Sequence, residues 1–326
     1  MSHLKTFAAI TCLAVLFISA FILGSVAEIY GKTRSLPHVD SKMERPEFWV
    51  QKIKSPRRLI LTPEQIRKMN SETLKRPGLY LCSVKDLKEE WTREEILNLF
   101  KEDWQGFGET PEVRFGRDGR PLGKSFWDEL KRNINEDEIE QRYQPVYGLI
   151  VRRTDIRVFP TYELSLESPD SSEFDRFQHS MISPGSLVSI FHRSRDRRWL
   201  YLQAPFIRGW VPAEAVGIAS EKRTAVQYEE AKERLVITGS LVTLFQDPSL
   251  RHEAFVAQMG TSFPLTHSDA TGEPSYAVRI PCRGKDGQLT IQDGYVSKEE
   301  DVHPGFLPFT QDQVAKQAFK MLRQPY

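Results

Sequence analysis

An internal repeat in the second half of the chain constrains the fold more than any other feature. Five short segments recur in the same order, here given with the first copy before the second: 185–188 (GSLV) and 260–263 (GTSF), 192–194 (HRS) and 267–269 (HSD), 199–202 (WLYL) and 276–279 (YAVR), 209–211 (GWV) and 294–296 (GYV), 212–216 (PAEAV) and 297–302 (SKEEDV). Each copy consists of short β-branched and aromatic runs separated by glycine or proline, a pattern typical of the short strands of a small barrel. We therefore expect two consecutive small barrels and not one large sheet.

The region before the repeat shows helical signals instead. Capping boxes at 62–65 (TPEQ) and 92–95 (TREE) predict two helix starts. The first helix should run to about Arg76, because Pro and Gly follow it. A third helix is expected to start at 125–128 (SFWD), and a short acidic helix at 139–143. Together these signals predict a small helical domain.

An apolar run at the N-terminus decides the compartment. Residues 7–24 (FAAITCLAVLFISAFILG) precede 25–27 (SVA), a small-x-small end that is typical of a signal-peptide cleavage site. The run is longer than the roughly 7–15 residues of a usual signal core, and about 18 residues suffice to span a bilayer, so an uncleaved membrane anchor stays an alternative. In both cases we expect an exported protein, periplasmic or associated with the cell envelope, that reaches the membrane only through this segment.

Charge, histidine and cysteine content exclude several classes of function. Because 45 Lys and Arg nearly balance 44 Asp and Glu, no net field attracts nucleic acid, and nucleic-acid binding is excluded. The seven histidines are scattered singly, and neither Cys-x-x-Cys nor His-Glu-x-x-His occurs, so we expect no metal and no cofactor. Cys82 and Cys282 lie far apart; two buried free thiols and one disulfide both fit their positions.

The first copy of the repeat resembles the first SH3-like domain that precedes the catalytic domain in multidomain NlpC-type peptidoglycan endopeptidases. The segments that carry this resemblance are 153–157 (RTDIR), 159–161 (FPT), 174–178 (FDRFQ), Gly185 with Val188, 194–196 (SRD) with Trp199, and 209–211 (GWV). The second copy resembles the second SH3-like domain of the family through 259–260 (MG), 263–264 (FP), 280–281 (IP) and 294–296 (GYV). Residues 59–143 resemble, more loosely, the helical N-terminal clip domain of the family.

One departure from the family concerns a hairpin of the first copy. The family commonly has Gly after Asp in Ser-x-Asp-Gly-x-Trp, whereas this chain has Arg197 there. Asp-Gly suits a tight turn at positive φ, which Arg adopts only with strain. We therefore expect a wider loop at this hairpin tip.

The sequence patterns and the resemblance together predict an α+β architecture built from six segments. In chain order they are a signal peptide or membrane anchor (1–27), a linker (28–58), a helical N-terminal clip domain (59–144), a first SH3-like barrel (145–220), a second SH3-like barrel (221–305) and a C-terminal helix (306–326) that in the family leads into the catalytic domain. That domain carries an Asp-Cys-Ser nucleophile at a helix start and a later histidine base. This sequence contains no Asp-Cys-Ser, and neither Cys82 nor Cys282 matches that context. We expect no catalytic residue and no hydrolysis by this chain alone.

Four candidate ligand-binding residues lie in the segment that resembles the specificity loop of the family. They are Asp155, Arg157, Asp175 and Gln178. The resemblance implies that this loop borders the substrate cleft and reads the stem peptide of peptidoglycan. Structural ion pairing of Asp155 or Asp175 with a nearby arginine is an equal alternative.

Trp199 and Trp210 are the other two candidates for ligand binding. Aromatic side chains in SH3-like grooves often stack on their ligands, so both indoles would suit a sugar or a peptide. Alternatively, both fill the core of the barrel, because they open or centre strands.

Two further segments each have two readings. The arginine-rich hairpin 192–198 (HRSRDRR) would meet carboxylates of stem peptides or anionic lipid head groups, or it is a solvated tip. The helix that opens at 310–313 (TQDQ) either packs on the second barrel or docks against a catalytic domain.

The leading hypothesis for function is the exported, peptidoglycan-recognising half of an NlpC-type cysteine endopeptidase. The resemblance implies cleavage of the bond between γ-D-glutamate and the diamino acid of the stem peptide by the complete enzyme. The expected partners are the stem peptide and a separate or missing NlpC-type catalytic domain. The alternative is a standalone periplasmic or surface SH3-like adaptor that binds cell wall or a partner protein.

Overall fold

The structure is a computed structural model that describes residues 38–76, 81–107, 113–171, 174–267, 273–322 and Gln324. The predicted signal or anchor segment (1–27) lies outside these residues and stays a prediction. Across the described ranges, no helix is long and apolar enough to cross a membrane. The chain divides into two units, Met1–Pro56 and Arg57–Tyr326.

The described part of the first unit contains a short helical segment. A 3-10 turn at Ser41–Glu44 is followed by helix α1 (Pro46–Val50), which has proline in its first turn. The Lys52 ammonium lies 3.8 Å from the centroid of the Phe48 ring. The described part of the predicted linker (28–58) therefore includes a short helix.

Over the residues described, the helices of the second unit are α2 (Pro63–Thr73), α3 (Arg93–Phe107), α4 (Lys124–Ile134), α5 (Lys222–Glu229) and α6 (Gln311–Lys320). Two of them, α2 and α3, begin at the predicted capping boxes, whereas α4 begins at Lys124 without a side-chain cap and α5 has no predicted counterpart. Both predicted capping boxes form: the Gln65 N–H donates to Thr62 Oγ1 at 3.3 Å, and the Thr92 N–H donates to Glu95 Oε2 at 2.8 Å. Two predicted helix starts are thus confirmed by their hydrogen bonds.

The acidic helix predicted at 139–143 is wrong. A 3-10 turn covers Glu136–Glu138, and strand β2 (Arg142–Tyr143) pairs antiparallel with β1 (Trp91–Thr92). Ile139 is 5% exposed and belongs to a buried aromatic cluster. Because residues four apart share a face in a strand as well as in a helix, the spacing of Ile139 and Tyr143 fits both structures, and the pairing with β1 decides between them.

Fourteen strands form two seven-stranded antiparallel sheets among the described residues. The first sheet contains β3 (Val146–Ile150), β4 (Thr154–Arg157), β5 (Gln178–Ile182), β6 (Leu187–Arg193), β7 (Trp199–Gln203), β8 (Arg208–Pro212) and β9 (Val216–Ile218). The second contains β10 (Arg234–Ile237), β11 (Leu241–Phe245), β12 (Glu253–Gln258), β13 (Ser262–His267), β14 (Ser275–Arg283), β15 (Leu289–Ser297) and β16 (Val302–Pro304). We call them barrel 1 and barrel 2. Numbered from its own first strand, each has the order 3-2-6-5-4-1-7, so the repeat is a repeat of topology.

Two glycines occupy equivalent turns in the two barrels. Gly185 has φ +83° and donates its N–H to Ile150 O at 2.8 Å, while Gly260 has φ +87° and donates to Ile237 O at 2.9 Å. A left-handed backbone of this kind favours glycine because any Cβ is strained there. The positive φ at this turn therefore explains why each copy of the repeat begins with glycine.

The predicted match between the two copies of the repeat is wrong by one residue in β7 and β14, where 199–202 is matched to 276–279. Gly209 in β8 lies opposite Leu202, whereas Gly294 in β15 lies opposite Val278. Leu202 and Val278 are therefore equivalent, and Trp199 corresponds to Ser275, not to Tyr276. Since neighbouring strand residues face opposite sides of a sheet, matching aromatic to aromatic exchanges the two faces.

Four buried clusters lie in the described part of the second unit, and three of them form the barrel cores and the helix–barrel contact. The barrel cores are aliphatic, with Ile150, Ile156, Val188, Leu200 and Val211 in barrel 1 and Leu235, Ile237, Val242, Val278 and Val296 in barrel 2. A third, aromatic cluster joins α3 and α4 to barrel 1 through Ile96, Phe100, Leu130, Phe159, Phe177, Trp199, Tyr201 and Trp210. The helical region and barrel 1 thus share one core, which fixes the geometry between them.

Helix α6 packs on barrel 2. This is the first of its two predicted placements; the other was docking against a catalytic domain. Thr310 caps its start by accepting from the Gln313 N–H at 3.2 Å. Near its end, the Lys320 ammonium donates to Thr238 O at 3.0 Å and pairs with Asp301 at 2.5 Å. The mixed α+β class, with two sheets and a C-terminal helix, is confirmed.

Candidate functional site

Four of the six predicted ligand-binding residues lie together at the base of the loop between β4 and β5. Asp155 and Arg157 are in β4, and Gln178, the first residue of β5, pairs in register with Arg157. Asp175 lies in the last turn of the same loop, whose described residues are 158–171 and 174–177. We call this segment the specificity loop after the family loop that it resembles; its role in specificity stays a prediction.

Arg157 and Asp175 form a buried ion pair that holds the specificity loop in shape. Their side chains are 6% and 10% exposed, and Arg157 Nη2 lies 2.7 Å from Asp175 Oδ2. Asp175 Oδ1 accepts from the N–H groups of Ser165 at 3.0 Å and Phe177 at 2.9 Å. Because both charges are buried and committed to the loop, the structural alternative fits them better than direct ligand contact.

Asp155 and Gln178 form the accessible part of this cluster. Gln178 is exposed, Asp155 is half-buried, and Gln178 Nε2 donates to Asp155 Oδ1 at 3.0 Å. Burial raises the pKa of Asp155 above its ordinary 3.8, although the positive charges of Arg157 and Arg153 oppose the change. A carboxylate and an amide of this kind can accept and donate hydrogen bonds at the loop surface.

Trp199 and Trp210 are buried, with exposed fractions of 2% and 1%. The Trp210 ring stacks on Phe100 of α3 with centroids 5.7 Å apart. The Trp199 ring lies under Tyr162 of the specificity loop, with centroids 4.5 Å apart. Neither indole offers a free face for stacking, so their burial matches the core alternative.

An open groove lies above Trp199, between α4, the specificity loop and the tip of the β6–β7 hairpin. Its volume is about 720 Å³. Tyr162, 46% exposed, forms its aromatic floor. We call it the Tyr162 groove; its polar lining includes Glu129, Arg132, Asn133, Glu163, Arg195, Asp196 and Arg198.

Asn133, near the end of α4, fixes the walls of the Tyr162 groove to one another. Its carbonyl accepts from the Arg195 N–H at 3.0 Å, and its Oδ1 accepts from the Asp196 N–H at 3.1 Å. Its Nδ2 donates to Pro160 O at 3.1 Å. One side chain and its carbonyl therefore join helix, loop and hairpin.

The hairpin tip is wider than a two-residue Asp-Gly turn, as expected, but Arg197 still adopts positive φ. The Arg197 N–H donates to Ser194 O at 2.9 Å, and the Ser194 N–H donates to Trp199 O at 3.1 Å, so four residues close the hairpin. Arg197 has φ +61°, a left-handed conformation that favours glycine. The anchoring by Asn133 compensates for the strain of a non-glycine residue there.

A second polar cluster connects α3 to barrel 1. Asp103 accepts from the Tyr201 hydroxyl and from Arg208 Nε, the latter at 2.8 Å, and Arg208 Nη2 donates to Glu102 Oε2 at 2.7 Å. Burial, together with the Asp103 carboxylate, raises the pKa of Tyr201 well above 10. The phenol thus stays a donor and fixes α3 against β7 and β8.

Both cysteines of the described chain are free thiols. Burial raises the pKa of Cys82 to about 11 and also raises the pKa of Cys282. Cys82 Sγ donates to Ala204 O at 3.7 Å. A nucleophilic or metal-binding cysteine requires a lowered pKa, so neither thiol is activated for such chemistry.

Sequence reasoning missed Tyr162, Arg132 and Asn133 as groove residues. Tyr162 follows Pro160-Thr161 in a segment that already carries the family resemblance, so it was the one residue with a usable signal. Arg132 and Asn133 lie at the end of an ordinary amphipathic helix. Only the packing of α4 against barrel 1 brings them to the groove.

Comparison with known proteins agrees with this fold. A family described as SH3 domain (SH3b1 type) matches residues 160–212, which include Tyr162 and the β6–β7 hairpin. Among solved structures, the chain is similar to an NlpC/P60 endopeptidase from Photobacterium damselae subsp. piscicida, with a TM-score of 0.62 and 18% identity over 82% of this chain and 58% of that one. An NlpC/P60 family protein from Bacillus cereus ATCC 10987 gives a TM-score of 0.33 and 14% identity over 49% of this chain and 56% of that one. No curated protein matches.

The fold and the matched domain define the class: the chain is an SH3-containing protein, and its SH3 domain is of the SH3b1 type. It shares the fold of an NlpC/P60 endopeptidase and spans 58% of the length of that protein. The predicted resemblance to SH3-containing NlpC-type proteins is therefore confirmed.

Proposed function

We propose that this chain binds cell-wall peptidoglycan through barrel 1, as the recognition part of an NlpC-type cysteine endopeptidase acting on the γ-D-glutamyl-diamino acid bond. The observation that carries the proposal is the Tyr162 groove, an open site of about 720 Å³ between the SH3b1 domain and α4. Its floor and walls are held by the Arg157–Asp175 pair and by Asn133. A preformed groove of this kind loses little conformational entropy when a ligand binds.

The predicted site residues take different roles in this proposal. The exposed ring of Tyr162, supported from below by Trp199, stacks on a sugar ring or on a peptide plane. Asp155 and Gln178 are not among the residues that line the groove; at the base of the specificity loop they hydrogen-bond a part of the ligand that extends beyond it. Trp210 acts indirectly, because it packs α3 against barrel 1.

We further propose that a separate or missing NlpC-type catalytic domain performs the hydrolysis. The sequence contains no Asp-Cys-Ser, and the raised pKa values of Cys82 and Cys282 oppose a thiolate at neutral pH. Purified full-length chain incubated with sacculi should release no dipeptide.

Co-sedimentation of the full chain with purified sacculi tests the binding. We expect the chain to be retained, and Tyr162→Ala to weaken retention about fivefold, the effect of one aromatic contact of about 1 kcal/mol. Phe306→Ala is the matched control, because Phe306 is a 74% exposed aromatic residue outside the groove. Absence of retention, or equal retention of both variants, would show that the groove does not bind the wall.

The second candidate function is a standalone periplasmic or surface adaptor that binds cell wall or a partner protein. The docking of Lys320 on Thr238 and Asp301 favours it, because α6 is already packed on barrel 2. Light scattering separates the two candidates. A stable monomer supports the adaptor, whereas association through the exposed side chains of Met321 (52%) and Leu322 (41%) supports a surface that a catalytic domain covers.

A further inference from the structure

The Tyr162 groove has more uncommitted hydrogen-bond donors than acceptors. Three arginines line it: Arg132 at the end of α4, and Arg195 and Arg198 in the hairpin. All three are exposed. Arg195 has a distant carboxylate partner, with Nη2 3.7 Å from Asp137 Oδ2. Throughout the described chain, no carboxylate lies within 4.0 Å of the guanidinium of Arg132 or Arg198.

Two of the three carboxylates that line the groove already accept hydrogen bonds from neighbouring groups of the protein. Glu163 Oε1 accepts from the N–H groups of Arg117 at 2.7 Å and Leu164 at 2.9 Å. Asp196 Oδ1 accepts from the Ser194 hydroxyl at 2.6 Å and from the Arg198 N–H at 3.0 Å. These bonds keep both acids on the backbone of the groove walls.

Glu129 is the third carboxylate, and it lies on the same helix as Arg132. It makes no hydrogen bond or ion pair to another described side chain. Among the described residues, Glu129 is therefore the unpaired carboxylate of the groove, and the guanidinium groups of Arg132 and Arg198 have no carboxylate partner. The unused hydrogen-bonding groups of the groove are thus mainly guanidinium N–H donors.

Arg198 is also oriented by its neighbour. Its guanidinium carbon lies 5.6 Å from the centroid of the Tyr162 ring, an arrangement in which the cation is held over the aromatic face. Asn133 binds the Asp196 N–H, and the Asp196 side chain binds the Arg198 N–H. The backbone that carries Arg198 is therefore fixed, and its guanidinium group is held at the groove. A planar fork of this kind suits a carboxylate, which accepts two parallel hydrogen bonds.

We propose that Arg132 and Arg198 form a carboxylate-binding subsite, so that the Tyr162 groove selects an acidic peptide over an amidated one. The inference rests on the proposed function, because the acidic peptide in question is the stem peptide of the wall. Tyr162 contacts the body of the ligand, and the two guanidinium groups bind its free carboxylate. Amidation of that carboxylate replaces two acceptor oxygens by one acceptor and one donor, which leaves guanidinium donors unmatched.

Calorimetric titration of the full chain with a soluble muramyl tripeptide tests this subsite. One probe carries free carboxylates and the other carries the same carboxylates as amides. We expect the amidated probe to bind about tenfold more weakly, the effect of losing one charge-assisted hydrogen bond. Equal affinity for the two probes would overturn the proposal.

Two double variants with the same loss of charge separate the groove from the rest of the hairpin. Arg132→Gln with Arg198→Gln removes both guanidinium groups from the groove. Arg193→Gln with Arg197→Gln removes two from the opposite side of the hairpin, where both residues line another pocket. We expect at least about a tenfold loss of affinity for the free-carboxylate probe in the first pair and less than about twofold in the second. Equal losses would indicate a general charge effect and overturn the proposal.

Two controls keep this test separate from that of wall binding. Inorganic phosphate, added as a competitor, should not displace the peptide probe at equal concentration; displacement would show general anion binding and overturn the assignment to a carboxylate. If sacculi retain the chain but neither soluble probe binds, the subsite is wrong while wall binding stands. If the free-carboxylate probe binds through Arg132 and Arg198 but sacculi do not retain the chain, the subsite stands and wall binding is wrong.

Discussion

Barrel 1 and barrel 2 have the same strand order but differ in what covers them. In barrel 1 the aromatic residues of β7 and β8 lie beneath α3 and α4, and Trp199 and Trp210 are almost completely buried. In barrel 2 the aromatic residues of β14 and β15, Tyr276 and Tyr295, stay half-exposed. Barrel 1 thus shares its core with a helical layer, and that layer supplies one wall of the Tyr162 groove. The same topology therefore forms a rigid groove only where helices close it.

The largest effect should follow from removing the aromatic ring that connects barrel 1 to its helices. Trp210→Ala should lower the free energy of unfolding by about 3–5 kcal/mol, because it leaves a cavity beside Phe100. Tyr295→Ala, the matched change in barrel 2, should cost roughly 1–2 kcal/mol, since part of that ring is already in water. Urea denaturation of both variants measures the difference. Equal costs would mean that the helical layer adds no stability to barrel 1.

The buried ion pair of barrel 1 provides the second comparison. Arg157→Met leaves Asp175 buried without its partner and should cost about 3 kcal/mol. Arg279→Met removes one partner of an exposed pair in barrel 2, Arg279 with Asp293, and should cost less than about 1 kcal/mol. Chemical denaturation gives both values. A small cost for Arg157→Met would show that water reaches Asp175 and that the specificity loop is not held by this pair.

The sequence predicted the parts of the fold that depend on local chemistry. The capping boxes at Thr62 and Thr92 and the turn glycines Gly185 and Gly260 act within a few residues, so spacing alone identifies them. The register of β7 and β14 depends on pairing with the next strand. Matching Trp199 to Tyr276 ignored that pairing and placed the aromatic residues one position out.

The candidate site was predictable only where one segment contains it. Asp155, Arg157, Asp175 and Gln178 belong to one hairpin and were found together. The Tyr162 groove instead requires Arg132 and the hairpin arginines to meet across the packing of α4 on barrel 1. No spacing along the chain encodes that contact, because the shared aromatic core forms only after the helices and the barrel have folded.

The hairpin turns offer a smaller, opposite pair of effects. Arg197 has φ +61° in barrel 1, and Gly287 has φ +88° in barrel 2. Arg197→Gly should raise the free energy of unfolding by about 0.5–1 kcal/mol, because it removes the strain of the left-handed conformation. Gly287→Ala should lower it by about 1–2 kcal/mol, because alanine is strained in the left-handed conformation that Gly287 adopts. Thermal melting measures both, and a loss of stability in Arg197→Gly would show that the arginine side chain contributes more than its backbone strain costs.

The smallest expected effects concern two aspartates whose pKa values change in opposite directions. Burial raises the pKa of Asp155 in barrel 1, so its ionised form destabilises the fold and the penalty disappears as the pH falls through the raised pKa. In barrel 2, burial also acts on Asp301, but the Lys320 ammonium and the Thr238 hydroxyl outweigh it and lower the pKa. The stability that Asp301 contributes is therefore present above pH 3.8 and is lost as the pH falls through the lowered pKa.

Asn substitutions at these two positions test the signs. At neutral pH, Asp155→Asn should raise the urea midpoint and Asp301→Asn should lower it, each by less than about 1 kcal/mol in free energy of unfolding. Well below pH 3.8, where both carboxyls of the parent protein approach neutrality, both differences should shrink. A stabilising effect of Asp155→Asn that persists in acid would point to packing and not to charge. If the destabilising effect of Asp301→Asn also persists in acid, it does not come from the charge of Asp301. Lys320 would then hold α6 through Thr238 O alone, and the ion pair would add nothing to the docking of this helix.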